Sequence, residues 1–244
     1  MKTLRGLLLG VCLVLSVHPT QAANKKHEKA LNSTFVLYGR SVGQHVDHHA
    51  LCTAFVYKKA SDGYFLLTAG HCFTAGAPAD ATYLVAEGQV KDNPTLQPVE
   101  VLNHVDRADM DVAELHLKTT KKYEILELDK NPAKIDDKVF YVGYPEIVAQ
   151  AVYTGRVSSN IIESVGPDPN EPCDLCKGRF MIQTGGGGGA SGSPIISEHT
   201  GKVVGILEGH LFENGVVVVP APAIEVYYEK EGHSKNAQSG EKIE

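Results

Sequence analysis

The sequence predicts an all-β protein made of two packed six-stranded antiparallel barrels. Three observations lead there: twelve short β-rich runs, turn residues between most of them, and no helical periodicity of useful length in either half. Many short strands at such spacing close into barrels or sandwiches.

The first series covers residues 34–38, 51–57, 64–68, 82–86, 99–104 and 112–117, most of them bounded by Gly, Asn or Asp. These make a first barrel over residues 34–118. Residues 119–136 are rich in charge, contain the Asp129, Lys130, Asn131, Pro132 stretch, and read as a surface connection. The second series, residues 139–143, 151–158, 180–184, 194–197, 203–207 and 215–219, makes a second barrel over residues 137–230. Residues 221–230 read as a strand end and a short helical turn. Residues 231–244 hold Gly, Ser, Lys and Glu with almost nothing to bury, which predicts a disordered tail.

At the other end, Lys2 and Arg5 precede an apolar run at residues 7–17, and Pro19, Thr20 and Ala22 follow it. This is the layout of a signal peptide over residues 1–22, cleaved after Ala22. The eleven apolar residues are too few for a retained anchor, because crossing ~30 Å of hydrocarbon takes roughly 20. Cys12 lies inside the run with apolar residues after it, which argues against lipid attachment there. Cleavage removes two positive charges and no acid, taking the formal net charge from -6 to -8. Such a surface gives no reason to expect nucleic acid or an anionic membrane as partner. The expected protein is secreted, extracellular or periplasmic, with no membrane anchor after signal removal. Residues 23–33 are polar and basic and read as a loose leader. Asn32, Ser33 and Thr34 form a glycosylation acceptor in a eukaryotic host and stay bare after bacterial export.

Export changes how the cysteines read. Cys52, Cys72, Cys173 and Cys176 remain, and an oxidising compartment pairs them. Of three possible pairings, Cys52 with Cys72 and Cys173 with Cys176 is the most economical. A zinc site built from the four thiolates is disfavoured, since Cys52 and Cys72 lack the short ligand spacing. No metal and no cofactor are expected. Cys173 and Cys176 follow a turn-rich stretch rather than opening a helix, so a structural loop disulfide is preferred to a redox dithiol.

Three segments carry chemistry. In Leu66-Leu67-Thr68-Ala69-Gly70-His71-Cys72 an apolar strand runs into a histidine, which a strand-to-turn junction holds rigidly. In Asp109-Met110-Asp111-Val112-Ala113 an acid opens an apolar strand, where it is buried while its carboxylate reaches an imidazole. In Gly189-Ala190-Ser191-Gly192-Ser193-Pro194, glycines around a serine permit the tight backbone that presents Oγ and converges N–H groups on one spot.

These segments resemble the histidine, aspartate and nucleophile motifs of the chymotrypsin/trypsin-like serine proteases, in the pattern of bacterial secreted members. The order His, Asp, Ser, with separations of 40 and 80 residues, is that family's order. The resemblance implies a chymotrypsin-like double barrel with the active site between its halves. It implies a triad of His71, Asp111 and Ser191, with Asp109 an exposed neighbour, and an oxyanion hole from the amides of Gly189 and Ser191. It also pairs Cys72 with Cys52. Glu114 stands where the family has an apolar residue, which predicts a more exposed strand there. Digestive members need a newly cut N-terminus beginning Ile-Val-Gly-Gly, and no such segment exists here. Val216-Val217-Val218-Val219-Pro220 resembles the closing strand of envelope quality-control proteases, but little chain follows for an appended peptide-binding module.

By the same resemblance Gly185 lines the floor of the primary pocket, so no strict Arg or Lys preference is expected. Leu207, Glu208, Gly209 and His210 supply the wall, with Glu208 and His210 replacing small residues and narrowing or charging the entrance. A small or apolar side chain is the expected preference, and polypeptides the expected substrates. Two alternatives are an esterase using the same acyl chemistry and an inactive binding protein whose five glycines leave the oxyanion loop disorganised.

Overall fold

The computed structural model describes residues 25–40, 48–74, 82–88, 94–105, 110–162, 178–211 and 214–230. The expected signal peptide, the tail from residue 231, Asp109, Cys173 and Cys176 lie outside the described residues.

Each predicted run forms a strand. β1 (Thr34–Arg40), β2 (His48–Lys59), β3 (Gly63–Thr68), β4 (Thr82–Glu87), β5 (Gln97–Val105) and β6 (Val112–Lys118) close into one barrel in the order β1-β2-β3-β6-β5-β4. β7 (Lys138–Gly143), β8 (Ala151–Val157), β9 (Phe180–Gln183), β10 (Pro194–Ser197), β11 (Val203–Leu211) and β12 (Gly215–Pro220) close a second, in the order β10-β11-β12-β9-β8-β7. Neighbouring strands are antiparallel, as β3 with β6 and β10 with β7. Two six-stranded antiparallel barrels are therefore the architecture.

The two faces of the strands feed different cores. In β3, Leu66 points into the first barrel with Leu37, Val56 and Leu115, while Leu67 points out of it. That outward face is also dry: Leu67 joins Phe55 and Val112 against Phe140, Ile196, Ile206 and Val219 of the second barrel. All six residues of β3 are consequently buried. Ile182, Ile195, Leu207 and Val218 fill the second barrel. Truncating one such buried leucine or isoleucine to alanine costs about 2–5 kcal/mol.

Several segments are better ordered than their composition predicts. Residues 25–32 form α1 (Lys25–Asn32), with Ala30 fully buried, not a loose leader. Thr34 Oγ1 donates to the Ala30 carbonyl at 2.8 Å, and the His27 ring packs on Phe140 with centroids 4.2 Å apart. The connection is stitched to both barrels: Leu126 N–H donates to Val56 O, and Leu128 bridges to Val203. At the other end, α3 (Ala221–Lys230) buries Ala221, Ile224 and Tyr228, positions three and seven apart on one helical face. Glu114 corrects its expectation. It is buried, and Tyr57 Oη donates to its carboxylate, so the strand stays covered because a phenol solvates the charge.

No helix among the described residues is long and apolar enough to cross a membrane.

Candidate active site

β3 ends at Thr68, and after Ala69 and Gly70 the chain enters a short helix, α2 (His71–Thr74), whose first residue is His71. Only glycine fits the turn, because a β-carbon on Gly70 would lie 2.1 Å from the Val105 carbonyl oxygen. Cys72 is joined by a disulfide to Cys52 of β2, which ties α2 to the barrel wall. Asp111 sits just before β6, fully buried, with a left-handed φ of 52°. That conformation is uncommon outside glycine, although aspartate tolerates it better than most. It aims the carboxylate at the histidine: the His71 backbone N–H donates to Oδ1 at 2.7 Å, and Nδ1 lies 2.8 Å from Oδ2. A carboxylate accepts and does not donate, so Nδ1 carries the ring proton and Nε2 is the basic nitrogen.

Ser191 lies on the loop between β9 and β10, and this loop is seated on the first barrel. Thr53 N–H donates to Ser191 O at 2.8 Å, and Thr53 Oγ1 donates to Gly189 O at 2.9 Å. Thr68 Oγ1 donates to Thr53 O at 2.7 Å, and a β-carbon on Gly192 would meet that same oxygen at 2.1 Å. The serine loop thus rests on the strand ends that deliver Cys52 and His71. Ser191 Oγ itself donates to the Glu208 carbonyl at 3.1 Å.

The five glycines are not a linker. A β-carbon on Gly187 would fall 2.2 Å from Glu146 Oε1, and one on Gly189 would fall 2.2 Å from Ile147 Cδ1. Backbone pairing is dense from Gly187 O to Ser193 N–H. The carbonyls of Gly187, Gly188, Gly189, Ala190 and Ser191 accept from Ala190 N, Glu146 N, Thr53 Oγ1, Ser193 N and Thr53 N. Gly188, Ala190, Gly192 and Ser193 donate to Glu146 Oε1, Gly187 O, Leu207 O and Ala190 O. Between Gly188 and Ser193 the N–H groups of Gly189 and Ser191 are the two with no acceptor among the described residues; those of Gly185, Gly186 and Gly187, earlier in the loop, have none either.

The expected pocket residues divide. Gly185 O accepts from Tyr141 Oη at 2.9 Å, and Tyr141 stacks on Tyr153 with centroids 5.1 Å apart. Burial pushes the Tyr141 phenol above its ordinary range and keeps it a donor. The His210 ring covers Gly186, where a β-carbon would lie 2.2 Å from Cε1. Gly209 keeps its place in β11 opposite Val217. Leu207 is fully buried in the second core, and its backbone bonds the loop at Gly192 N–H and Ser193 O. Glu208 does not charge the surface: its carboxylate is turned inward and accepts from Arg179 Nε at 2.7 Å, both side chains being buried. Arg179, Thr53 and Glu146 were not singled out by sequence reasoning. Their signals are single letters whose partners lie far along the chain.

Cys52, Cys72 and His71 are the one cluster of metal-type ligand atoms among the described residues. The two sulfurs are bonded to each other and offer no thiolate to a metal.

The trypsin-like peptidase domain matches residues 52–206. Among solved structures, the fold is similar to Rv3671c from M. tuberculosis H37Rv in an inactive form carrying a serine-to-alanine substitution. That likeness has a TM-score of 0.63 and 21% identity, covering 89% of this chain and 95% of that one. Another inactive form of the Rv3671c protease gives 0.61 and 23%, covering 88% and 96%. The serine endoprotease from Yersinia pestis gives 0.60 and 16%, covering 87% and 66%. At such identities the structural likeness establishes the fold alone. No curated protein matches the chain. With the domain match spanning more than half of its residues and both barrels closed, the chain belongs to the trypsin-like peptidase family and is a serine endopeptidase.

Proposed function

We propose that the protein is secreted and hydrolyses polypeptide substrates through Ser191, His71 and Asp111, by way of an acyl-enzyme. The observation that carries this reading is the hydrogen bonding of the serine loop, which between Gly188 and Ser193 commits every N–H except those of Gly189 and Ser191. In the reaction Ser191 Oγ leaves the Glu208 carbonyl and attacks the scissile carbonyl carbon, while its proton passes to His71 Nε2. The carbonyl oxygen becomes an oxyanion held by the Gly189 and Ser191 amides. Asp111 keeps the imidazole oriented and stabilises its charged form. Imidazolium then protonates the leaving amine, and water repeats the attack on the ester.

The pocket supports a small or apolar side chain rather than a strict Arg or Lys preference. Gly185 brings no carboxylate to its floor, and Arg179 neutralises the buried Glu208. Export is supported by the apolar run after Lys2 and Arg5 and by the oxidised Cys52 and Cys72.

Labelling with a fluorophosphonate and profiling of a peptide library test the reading together. Wild type takes the label and cleaves after small or apolar residues, whereas Ser191→Ala does neither and keeps its circular-dichroism spectrum. Peptide turnover undiminished in Ser191→Ala would falsify the assignment.

A further inference from the structure

One of the outside holds on the glycine loop is a strained turn. After β7, residues 145–147 form one turn of 3-10 helix in which Glu146 and Ile147 both have a φ of 53°. Left-handed backbone is unusual for glutamate and a marked outlier for a β-branched isoleucine. What the turn delivers is contact with the glycines. Glu146 N–H donates to Gly188 O at 2.5 Å, and its carboxylate accepts from Gly188 N–H at 2.9 Å. Ile147 Cδ1 occupies the space beside Gly189.

The first of these bonds decides which way a peptide plane faces. In a trans peptide the C=O and N–H point in opposite directions, so tying Gly188 O to Glu146 turns Gly189 N–H to the other side. Rotated by half a turn, the same plane would present a carbonyl oxygen where the oxyanion site needs a donor. Glycines make such a rotation easy, since they populate both signs of φ. The carboxylate bond holds the preceding plane together with the bond from Ala190 N–H to Gly187 O, and without it that plane keeps one anchor in place of two.

We propose that Glu146 is a positioning residue that fixes the Gly188–Gly189 peptide in its donating orientation and so organises the oxyanion site. The inference rests on the triad reading above and adds to it the element that orders the loop. Its side-chain half is testable, because Gln keeps an acceptor at the same reach and Ala keeps none.

The test compares wild type, Glu146→Gln and Glu146→Ala in peptide hydrolysis and in inhibition by a peptide aldehyde, whose hemiacetal oxygen uses the oxyanion site. Removing an oxyanion donor outright costs about 100- to 1,000-fold in kcat, and partial disorder costs less. We expect Glu146→Ala to lose about 10- to 100-fold in kcat and to weaken aldehyde binding in parallel. KM should change little, melting temperature should hold, and Glu146→Gln should recover most of the loss. Unchanged kcat and aldehyde affinity in the alanine variant would overturn the proposal, as would equal losses in both variants accompanied by a lowered melting temperature. Amide exchange on glycine-labelled Ser191→Ala protein reads the clamp without catalysis. Gly188 N–H should be protected and should lose protection when Glu146→Ala is added, and no change there also overturns the proposal. A wild type that takes no fluorophosphonate while Gly188 remains clamped would instead sink the triad reading.

Discussion

The two halves of the site are made rigid in different ways. The first barrel holds His71 and Asp111 by short-range means: a glycine turn, a disulfide one residue along, and a buried carboxylate bonded twice to the same histidine. The second barrel presents Ser191 on a loop whose own sequence is among the most permissive possible, and its order is borrowed. Thr53 comes from the first barrel, Glu146 and Ile147 from the turn after β7, and Leu207 from β11. A stiff half and a borrowed half should respond differently to substitution: damage to the first removes chemistry, and damage to the second removes organisation.

The largest effect is expected at Asp111. Replacing it by asparagine keeps the shape but puts an amide donor where Nδ1–H needs an acceptor, which favours the wrong tautomer and costs about 10,000-fold in kcat. Steady-state kinetics with the best library peptide measures this loss, and the fold should stay intact. A loss of less than tenfold would mean that the stiff half is dispensable and would reverse the comparison.

Thr53 tests the borrowed half. Its hydroxyl donates to Gly189 O and accepts from Tyr144 N–H at 3.1 Å, and the residue is fully buried between the barrels. Thr53→Val keeps the volume and leaves both partners dry, at about 1–3 kcal/mol for each stranded group. The urea midpoint should fall, and kcat should drop about tenfold, a barrier change of roughly 1.4 kcal/mol. Thr53→Ser should restore both. A valine variant that loses stability but no activity would show that the loop does not depend on this hydroxyl.

The same division governs what was legible in the sequence. All twelve strands were readable because β-rich composition and the turn residues that bound it are local signals. The His71 and Asp111 segments were readable because the residues that shape them stand beside them. The glycine run left two readings open, a disorganised and an ordered oxyanion loop, since glycine's local preference is the same in both. What separates them is Thr53 and Glu146, which lie 136 and 42 positions from the glycines they hold. Glu114 and Glu208 were misjudged for a related reason. Each is an acid in an apolar strand, and only the fold supplies Tyr57 and Arg179 to make burial affordable. Helix α1 escaped notice because its anchors, Phe140 and Glu198, belong to the second barrel.

The smallest effect on turnover is expected behind β6, where Glu114 lies three positions from Asp111. Burial raises the Tyr57 phenol well above its ordinary range, and the Glu114 charge adds to this; Tyr228 is raised by burial and Glu114 in the same way. Both phenols stay neutral in the folded protein while an unfolded tyrosine ionises near pH ~10. Their contribution to stability is therefore full below that pH and is lost progressively as pH rises above it. Urea unfolding at rising pH should show a decline beginning near pH ~10. Tyr57→Phe removes one titrating group and a hydrogen bond to a carboxylate, so it should flatten the decline while lowering stability at neutral pH by about 1.5–3 kcal/mol. Because Asp111 takes its aim from the His71 turn and not from this cluster, kcat at neutral pH should stay within about twofold, well under 1 kcal/mol of barrier. A large loss of kcat in Tyr57→Phe would instead mean that the stiff half is also borrowed, held in place by the tyrosines behind its strand.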